Sequence, residues 1–229
     1  MSENFIVITG GPGSGKTTLV ERLRERGYPT VGEAGRAIIR DQVAIGGIAH
    51  HTADWAVGAE VLLAWEMRSY HEAVAAAARH EAAAAAARHE AAAAAARHEA
   101  AAAAARHEAA AAAAEARRSA GAAQRDCLVF FDRGIPDLVG YHPMMGGRTP
   151  PHFVAAAERF RYRRRVFVAP PWPEIYVNDA ERRQDFAEAI RSYDAVVDAY
   201  ESCGYELVAL PKSTVDERVD FVLSRSGRS

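Results

Sequence analysis

A glycine-rich loop near the amino terminus carries the residues with the clearest chemical signature. Residues 10–17 read GGPGSGKT and fit the pattern G-x-x-x-x-G-K-[ST]. Backbone N–H groups of such a loop must point at one polyphosphate, and side chains would obstruct that approach, which explains the glycines. Lys16 is expected to reach the β- and γ-phosphates and to stabilise their charge, and the Thr17 hydroxyl is expected to ligate Mg²⁺. The predicted nucleotide-binding residues here are Gly10, Gly11, Gly13, Ser14, Gly15, Lys16, Thr17 and Thr18.

The elements on either side of this loop are those that the motif requires. Residues 5–9 are a short β-branched and aromatic run, typical of a strand buried on both faces. Residues 18–26 read as a helix that Gly27 is placed to end. A helix starting at Lys16 would add its positive end to the phosphate site.

Two acidic residues follow predicted strands farther along the chain. Asp132 comes directly after the apolar run 126–131, and Glu33 follows the shorter run 28–31. Asp132 is positioned to hold Mg²⁺ directly or through water. Glu33 could accept a proton from a substrate hydroxyl, or it could merely cap the helix that follows.

Arginines could neutralise charge on a transferring phosphoryl group. Arg133 follows the acidic residue of the third strand, whereas Arg182 and Arg183 could belong either to a lid or to an ordinary helix surface. For Arg36, a structural or substrate-positioning salt bridge is favoured over transition-state chemistry.

Strands alternate with helices along the chain, which predicts an α/β fold: a five-stranded parallel sheet with helices on both faces. In such sheets ligands lie at the carboxyl ends of the strands. This rule brings the glycine-rich loop, Glu33, Asp132, residues 170–183 and residues 211–214 to one rim.

Composition narrows the choice of partner and compartment. The chain has 229 residues and a formal net charge of −2, which gives no support for a nucleic-acid binder. No apolar run approaches the roughly 20 residues of a membrane span, and the amino terminus reads as a strand rather than a targeting peptide. The two cysteines, Cys127 and Cys203, are expected to be reduced, mostly buried thiols. The sequence therefore predicts a cytoplasmic protein without a membrane partner.

An Ala-rich repeat interrupts the α/β pattern. Arg-His-Glu recurs every nine residues, at 79–81, 88–90, 97–99 and 106–108. Alanine is the best helix former, so one helix is expected from about residue 53 to about residue 120. Nine residues rotate by about 900°, so successive triads face opposite sides and make neither a coiled coil nor a single stripe.

The repeat has two interpretations. It could be an arm for self-association, or a tolerated expansion of the segment Tyr70–Glu72, which is favoured. The chain is accordingly expected to be one domain, residues 1–229, with residues 71–123 as a helical insertion.

Taken together, the motifs resemble a family of small bacterial AAA-type P-loop ATPases that is related to the nicotinamide-riboside and deoxynucleoside kinases. The segments that carry the resemblance are the glycine-rich loop, VGEAGR at 31–36, FFDRG at 130–134, PPWPEIY at 170–176, ERRQ at 181–184 and LPKSTV at 210–215. They cover nearly all of the chain except about residues 71 to 123, where the repeat departs from the family's pattern. Related kinases build part of the acceptor pocket at that place.

The resemblance implies a nucleoside-kinase-like fold that uses ATP and Mg²⁺. It implies that Glu33 is the base, that Asp132 and Arg133 are the acidic–arginine pair of the third strand, and that Arg182 or Arg183 is the lid arginine. It also implies that adenine lies near the turn after the last strand, which includes Lys212. The acceptor does not follow from the resemblance.

The sequence is compatible with three functions. The first is an ATP-dependent kinase for a small hydroxyl-bearing molecule, with Lys16, Glu33, Arg133 and Arg182 as catalytic residues, Thr17 and Asp132 as metal ligands, and Arg36 toward the substrate. The second is an NTP-hydrolysing switch in which Glu33 positions water or is structural. The third is a structural rod with a vestigial site, against which the intact loop and Asp132 argue. The oligomeric state is left open.

Overall fold

The computed structural model describes residues 2–102, 128–176 and 185–227. Its centre is a five-stranded, all-parallel sheet in the order β2-β3-β1-β4-β5, flanked by helices. The strands are β1 Phe5–Gly10, β2 Thr30–Val31, β3 Val129–Asp132, β4 Arg165–Ala169 and β5 Glu206–Ala209. The predicted fold class is confirmed.

Strand β1 lies at the middle of the sheet and leads into the glycine-rich loop. All six of its residues are buried, which explains its uninterrupted apolar run. Ile8 is in register with Asp132 of β3, and Gly10 is in register with Ala169 of β4. The carboxyl ends of β3 and β4 therefore lie on either side of the start of the loop.

Seven α-helices connect and cover the strands within the described ranges. They are α1 Lys16–Glu25, α2 Gly35–Ala44, α3 Trp55–Ala102, α4 Ile135–Met144, α5 Pro151–Arg159, α6 Phe186–Ser202 and α7 Val215–Ser226. Short 3-10 helices occur at Ser2–Asn4 and Pro173–Ile175.

Helix α4 contains a proline: it continues through Pro143 to Met144. A proline in the last turn has no N–H to bond the carbonyl four residues earlier. That carbonyl, on Val139, accepts a hydrogen bond from the Thr149 hydroxyl at 3.0 Å instead. A side chain beyond the helix thus satisfies the group that the proline leaves free.

The first part of α3 packs through its apolar face. Its buried residues belong to one cluster with residues of α4 and α5: Ala59, Leu63, Ile135, Leu138, Phe153, Ala156 and Ala157. Farther along, Tyr70 contacts the rings of Phe5 and Phe131 edge-on or tilted, and its hydroxyl donates to the Arg161 carbonyl at 2.7 Å. These contacts fix the start of α3 against β1 and β3.

The chain divides into two compact units, one formed by Met1–Ala73 with Val129–Ser229 and the other by Val74–Leu128. Helix α3 contributes residues to both units and is described to Ala102, so the rest of the helix predicted to reach residue 120 lies outside the described residues. The Arg-His-Glu units at 79–81 and 88–90 are exposed. The organisation as one domain with an insertion at 71–123 stays a prediction.

Candidate functional site

The backbone of the glycine-rich loop has conformations that only glycine adopts easily. Gly10, Gly13 and Gly15 have φ angles of 131°, 74° and 76°. A Cβ atom on Gly10 would lie 2.3 Å from the carbonyl oxygen of Ala169, and a Cβ on Gly15 would lie 2.7 Å from Nη1 of Arg218. These glycines are therefore required both by the turn and by the closeness of their neighbours.

The side of the loop where Cβ atoms would point is covered by distant parts of the chain. A Cβ on Gly11 would lie 2.4 Å from the carbonyl oxygen of Ala189 in α6, and one on Gly13 would lie 2.5 Å from the ring of Tyr176. The loop thus has a protein-covered outer side, which holds the backbone in the shape that a polyphosphate cradle needs.

Lys16 is buried and its ammonium is bound by the loop itself. Nζ donates to the Gly11 carbonyl at 2.7 Å and to Ser14 Oγ at 3.3 Å, and Ser14 Oγ donates to the same carbonyl at 2.8 Å. Burial, reinforced by the charge of Arg133, lowers the pKa of Lys16 to about 7. A bound polyphosphate would supply the negative charge that favours the ammonium form, so this arrangement fits a nucleotide.

Thr17 and Asp132 form a pair that fits Mg²⁺. The Thr17 hydroxyl donates to Asp132 Oδ2 at 3.1 Å, while Asp132 Oδ1 is buried and has no hydrogen-bond partner among the described residues. Burial raises the pKa of Asp132 and the charge of Lys16 opposes that shift. The described ranges contain no cluster of three His, Cys, Asp or Glu residues that could bind a metal. One carboxylate and one hydroxyl, completed by phosphate oxygens and water, is the usual environment of nucleotide-bound Mg²⁺.

Arg133 connects the predicted base to the loop. It has a left-handed backbone with φ of 77°. Its Nε donates to Glu33 Oε1 at 3.0 Å, and its Nη1 donates to the Gly10 carbonyl at 3.1 Å, to Asp137 Oδ1 at 3.2 Å and to the Tyr141 hydroxyl. Through Nε and Nη1, Arg133 holds Glu33 and the first residue of the loop.

Asp137 is a buried carboxylate that the sequence analysis did not single out. Besides Arg133, it accepts hydrogen bonds from the Thr9 hydroxyl and the Tyr200 hydroxyl, each at 2.7 Å, and from the Gly134 N–H at 3.1 Å. The sequence feature that could have indicated Asp137 is its position three residues after the Asp-Arg-Gly triplet, in the first turn of α4. Four donors on one carboxylate make Asp137 the anchor of Arg133.

Glu33 is ionised in this environment. Burial by itself would raise the pKa of Glu33, but the charges of Arg133 and Lys16 and the hydrogen bond from Arg133 together lower it to about 2. The N-cap of α2 is Ala34, and no side chain caps that helix. The capping interpretation of Glu33 is therefore wrong.

Glu33 and the Thr17–Asp132 pair open onto the same cavity. Its volume is about 220 Å³, and Arg36 lies at its rim with an exposed side chain. The lining residues are Thr17, Val20, Glu21, Arg24, Gly32, Glu33, Arg36 and Asp132. The structure thus brings the predicted base, metal ligands and substrate arginine together.

Glu66 is a second acidic residue that the sequence analysis missed. It lies three residues after Leu63 on the buried face of α3, is 9% exposed, and forms no hydrogen bond within the part of the chain that the structure describes. Burial raises the pKa of Glu66 to about 8, and the nearby charges of Asp137 and Glu33 add to this effect. The charge of Arg133 opposes it. The sequence feature that could have indicated Glu66 is its spacing of three residues from Leu63, which places both residues on the same face of a helix.

The remaining predicted residues have more peripheral positions. Thr18 is exposed in the first turn of α1, and Lys212 is exposed in the turn between β5 and α7. Arg182, with the alternative lid residue Arg183, lies outside the described residues, in the gap between 176 and 185.

Comparison with known families found a matching family model. A family model described as AAA domain matches residues 5–80 and 72–218, which together span most of the chain. The chain belongs to the AAA domain family. As a member of that family it is a nucleotide-binding P-loop protein with general ATPase or kinase character, usually dependent on Mg²⁺.

No curated protein sequence matches this AAA domain. Among the residues that the structure describes, no helix is both long enough and apolar enough to cross a membrane.

Proposed function

We propose that this AAA domain transfers the γ-phosphate of ATP to a hydroxyl group of a small molecule, as in the nicotinamide-riboside and deoxynucleoside kinases that its motifs resemble. The observation that carries the proposal is the shared cavity. An ionised carboxylate, Glu33, lines the same space as Thr17 and Asp132, the residues suited to the donor's metal ion.

On the donor side the chain binds and orients the triphosphate. The N–H groups of the loop hold the phosphates, and Lys16 neutralises charge on the β- and γ-phosphates. Thr17 and Asp132 would hold Mg²⁺, which in such sites would neutralise negative charge on the β- and γ-phosphates.

On the acceptor side Glu33 orients the hydroxyl. A carboxylate with a pKa of about 2 is a weak base, so it takes the proton late, after the oxygen–phosphorus bond has begun to form and the hydroxyl has become acidic. Arg133 keeps Glu33 in place, and the exposed Arg36 is positioned to bind the acceptor at the rim. Arg182 is the proposed lid arginine. We propose the cytoplasm as the compartment, because the proposed donor is ATP. The proposed partner is the small molecule that accepts the phosphate.

The alternative is an NTP-hydrolysing switch without an acceptor. The size of the cavity favours it, because about 220 Å³ also suits a few water molecules beside Glu33. In that case Glu33 holds the attacking water.

Transfer of labelled phosphate separates the two functions. The protein is incubated with MgATP labelled at the γ-position and with a fractionated pool of hydroxyl-bearing metabolites. A kinase moves the label into an organic product and forms ADP only with the right fraction. A switch releases labelled inorganic phosphate whether or not the pool is present, and that result would exclude the kinase proposal.

A further inference from the structure

Helix α7 places a buried arginine directly behind the glycine-rich loop. Arg218 is 2% exposed and lies beside the buried Val219 in that helix. Its Nη2 donates a hydrogen bond to the Ser14 carbonyl at 3.2 Å, and its Nη1 is the nearest atom to a Cβ built on Gly15. The side chain therefore contacts the loop backbone from the covered side.

This hydrogen bond sets the direction of one loop N–H. In a trans peptide the C=O of one residue and the N–H of the next point in opposite directions. The Ser14 carbonyl points toward Arg218, so the Gly15 N–H points away from α7, toward the side left for a ligand. Arg218 thus fixes an amide that the motif uses to hold phosphate.

The charge of Arg218 has no carboxylate partner among residues 2–102, 128–176 and 185–227. Its Nε has no hydrogen-bond partner in those ranges, and the Trp172 ring lies 5.9 Å from its Cζ. Burial lowers the pKa of Arg218. A buried cation without an anion is unfavourable, so an anionic ligand in the adjoining loop would stabilise it.

Helix α7 holds this arginine in a fixed position. Asp216 pairs with Arg22 of α1 at 3.2 Å and with Arg26 at 2.9 Å, and Asp220 also pairs with Arg26. Thr214 and Glu217 form a reciprocal cap at the start of the helix. The helix that presents Arg218 is therefore tied to the helix that starts in the loop.

We propose that Arg218 is a positioning residue for the nucleotide: it holds the Ser14–Gly15 peptide in the orientation that receives a polyphosphate, and the polyphosphate balances its buried charge. The inference concerns nucleotide binding alone. It applies whether the γ-phosphate is transferred to a small molecule or hydrolysed, and its test needs no acceptor.

The test compares Arg218→Met and Arg218→Lys with the control Arg225→Met. Arg225 belongs to the same helix but is exposed. Each protein is measured for its melting temperature without nucleotide and for its affinity for MgATP by calorimetry. Arg218→Met is expected to melt at or above the wild-type temperature without nucleotide, because it loses a buried charge that has no carboxylate partner among the described residues. It is also expected to bind MgATP about tenfold more weakly or worse.

Arg218→Lys separates charge from geometry. It keeps the cation but loses the planar fork, so an affinity between those of Arg218→Met and wild type is expected. Arg225→Met should match wild type in both measurements.

Wild-type affinity for MgATP in either variant of Arg218 would overturn the proposal. A lower melting temperature without nucleotide and an unchanged affinity would assign Arg218 a purely structural role. Should Arg218→Met fail to fold, Arg218→Lys decides. Failure of both to fold would also count against the proposal, because Arg218 would then be needed for the fold itself.

Discussion

The Nε atom of Arg133 lies 3.0 Å from Oε1 of Glu33, and the same guanidinium donates to the carbonyl of Gly10. The proposed base and the loop proposed to hold the donor are thereby connected through one side chain. The position of Glu33 relative to the glycine-rich loop is therefore held by Arg133 as well as by the segment that carries Glu33. The proposed phosphoryl transfer would depend chiefly on such positioning.

Replacing Glu33 should impair turnover more than nucleotide binding. Glu33→Gln keeps the size of the side chain but removes the charge that accepts the proton, so we expect kcat to fall by about 10²- to 10³-fold. The affinity for MgATP should stay within a few-fold of wild type, as measured by calorimetry. Glu21→Gln is the matched control, because Glu21 lines the same cavity but is exposed. An unchanged kcat for Glu33→Gln would remove this residue from the mechanism.

Asp132 should be needed for Mg²⁺ to strengthen ATP binding. Asp132→Asn replaces the carboxylate whose Oδ1 lacks a partner within the described chain, so the Mg²⁺-dependent part of ATP binding should be lost. Binding of ATP in the presence of EDTA should change little. Titration of nucleotide affinity against Mg²⁺ concentration provides the measurement. A variant that retains the full magnesium response would show that the ion is held elsewhere.

Glu66 should make stability depend on pH. Its pKa is about 8 in the folded chain and about 4.5 in the unfolded chain, so the folded chain binds more protons between these values. Stability should therefore fall as pH rises from about 4.5 to about 8, by a few kcal/mol at most.

Glu66→Gln should lack this contribution. Its stability relative to wild type, measured by urea unfolding, should increase through the same pH window. Glu72→Gln serves as the control because Glu72 is exposed on the same helix. Parallel pH profiles for Glu66→Gln and wild type would refute the assignment.

The contact between the loop and Tyr176 can be separated from backbone strain. Gly13 and Gly146 both have positive φ angles, of 74° and 80°, but only a Cβ on Gly13 meets another atom within 4 Å. Gly146→Ala should therefore show strain alone, about 1 kcal/mol. Gly13→Ala should lose about 1–3 kcal/mol more and bind MgATP poorly, since Tyr176 must move.

Thermal unfolding and nucleotide titration of both glycine variants test this expectation. Equal losses of stability would mean that Tyr176 moves aside without cost.

The sequence predicted those features that depend on local pattern and chain topology. Parallel strands end at one rim, so the rule of topology was enough to place Glu33 and Asp132 beside the loop. The topology rule gave no position for Asp137 or Glu66, because their burial depends on packing between elements distant in sequence. Nor does a local pattern predict that α4 continues past Pro143, because the carbonyl that the proline leaves free is satisfied by a hydroxyl from Thr149.

The outer side of the glycine-rich loop is built by Ala169, Tyr176, Ala189 and Arg218, all from the second half of the chain. During synthesis the motif emerges before these supports. A growing polypeptide on the ribosome therefore has the signature of a nucleotide site long before it has the site itself. We expect competence to bind ATP to arise only after α7 has folded onto α1.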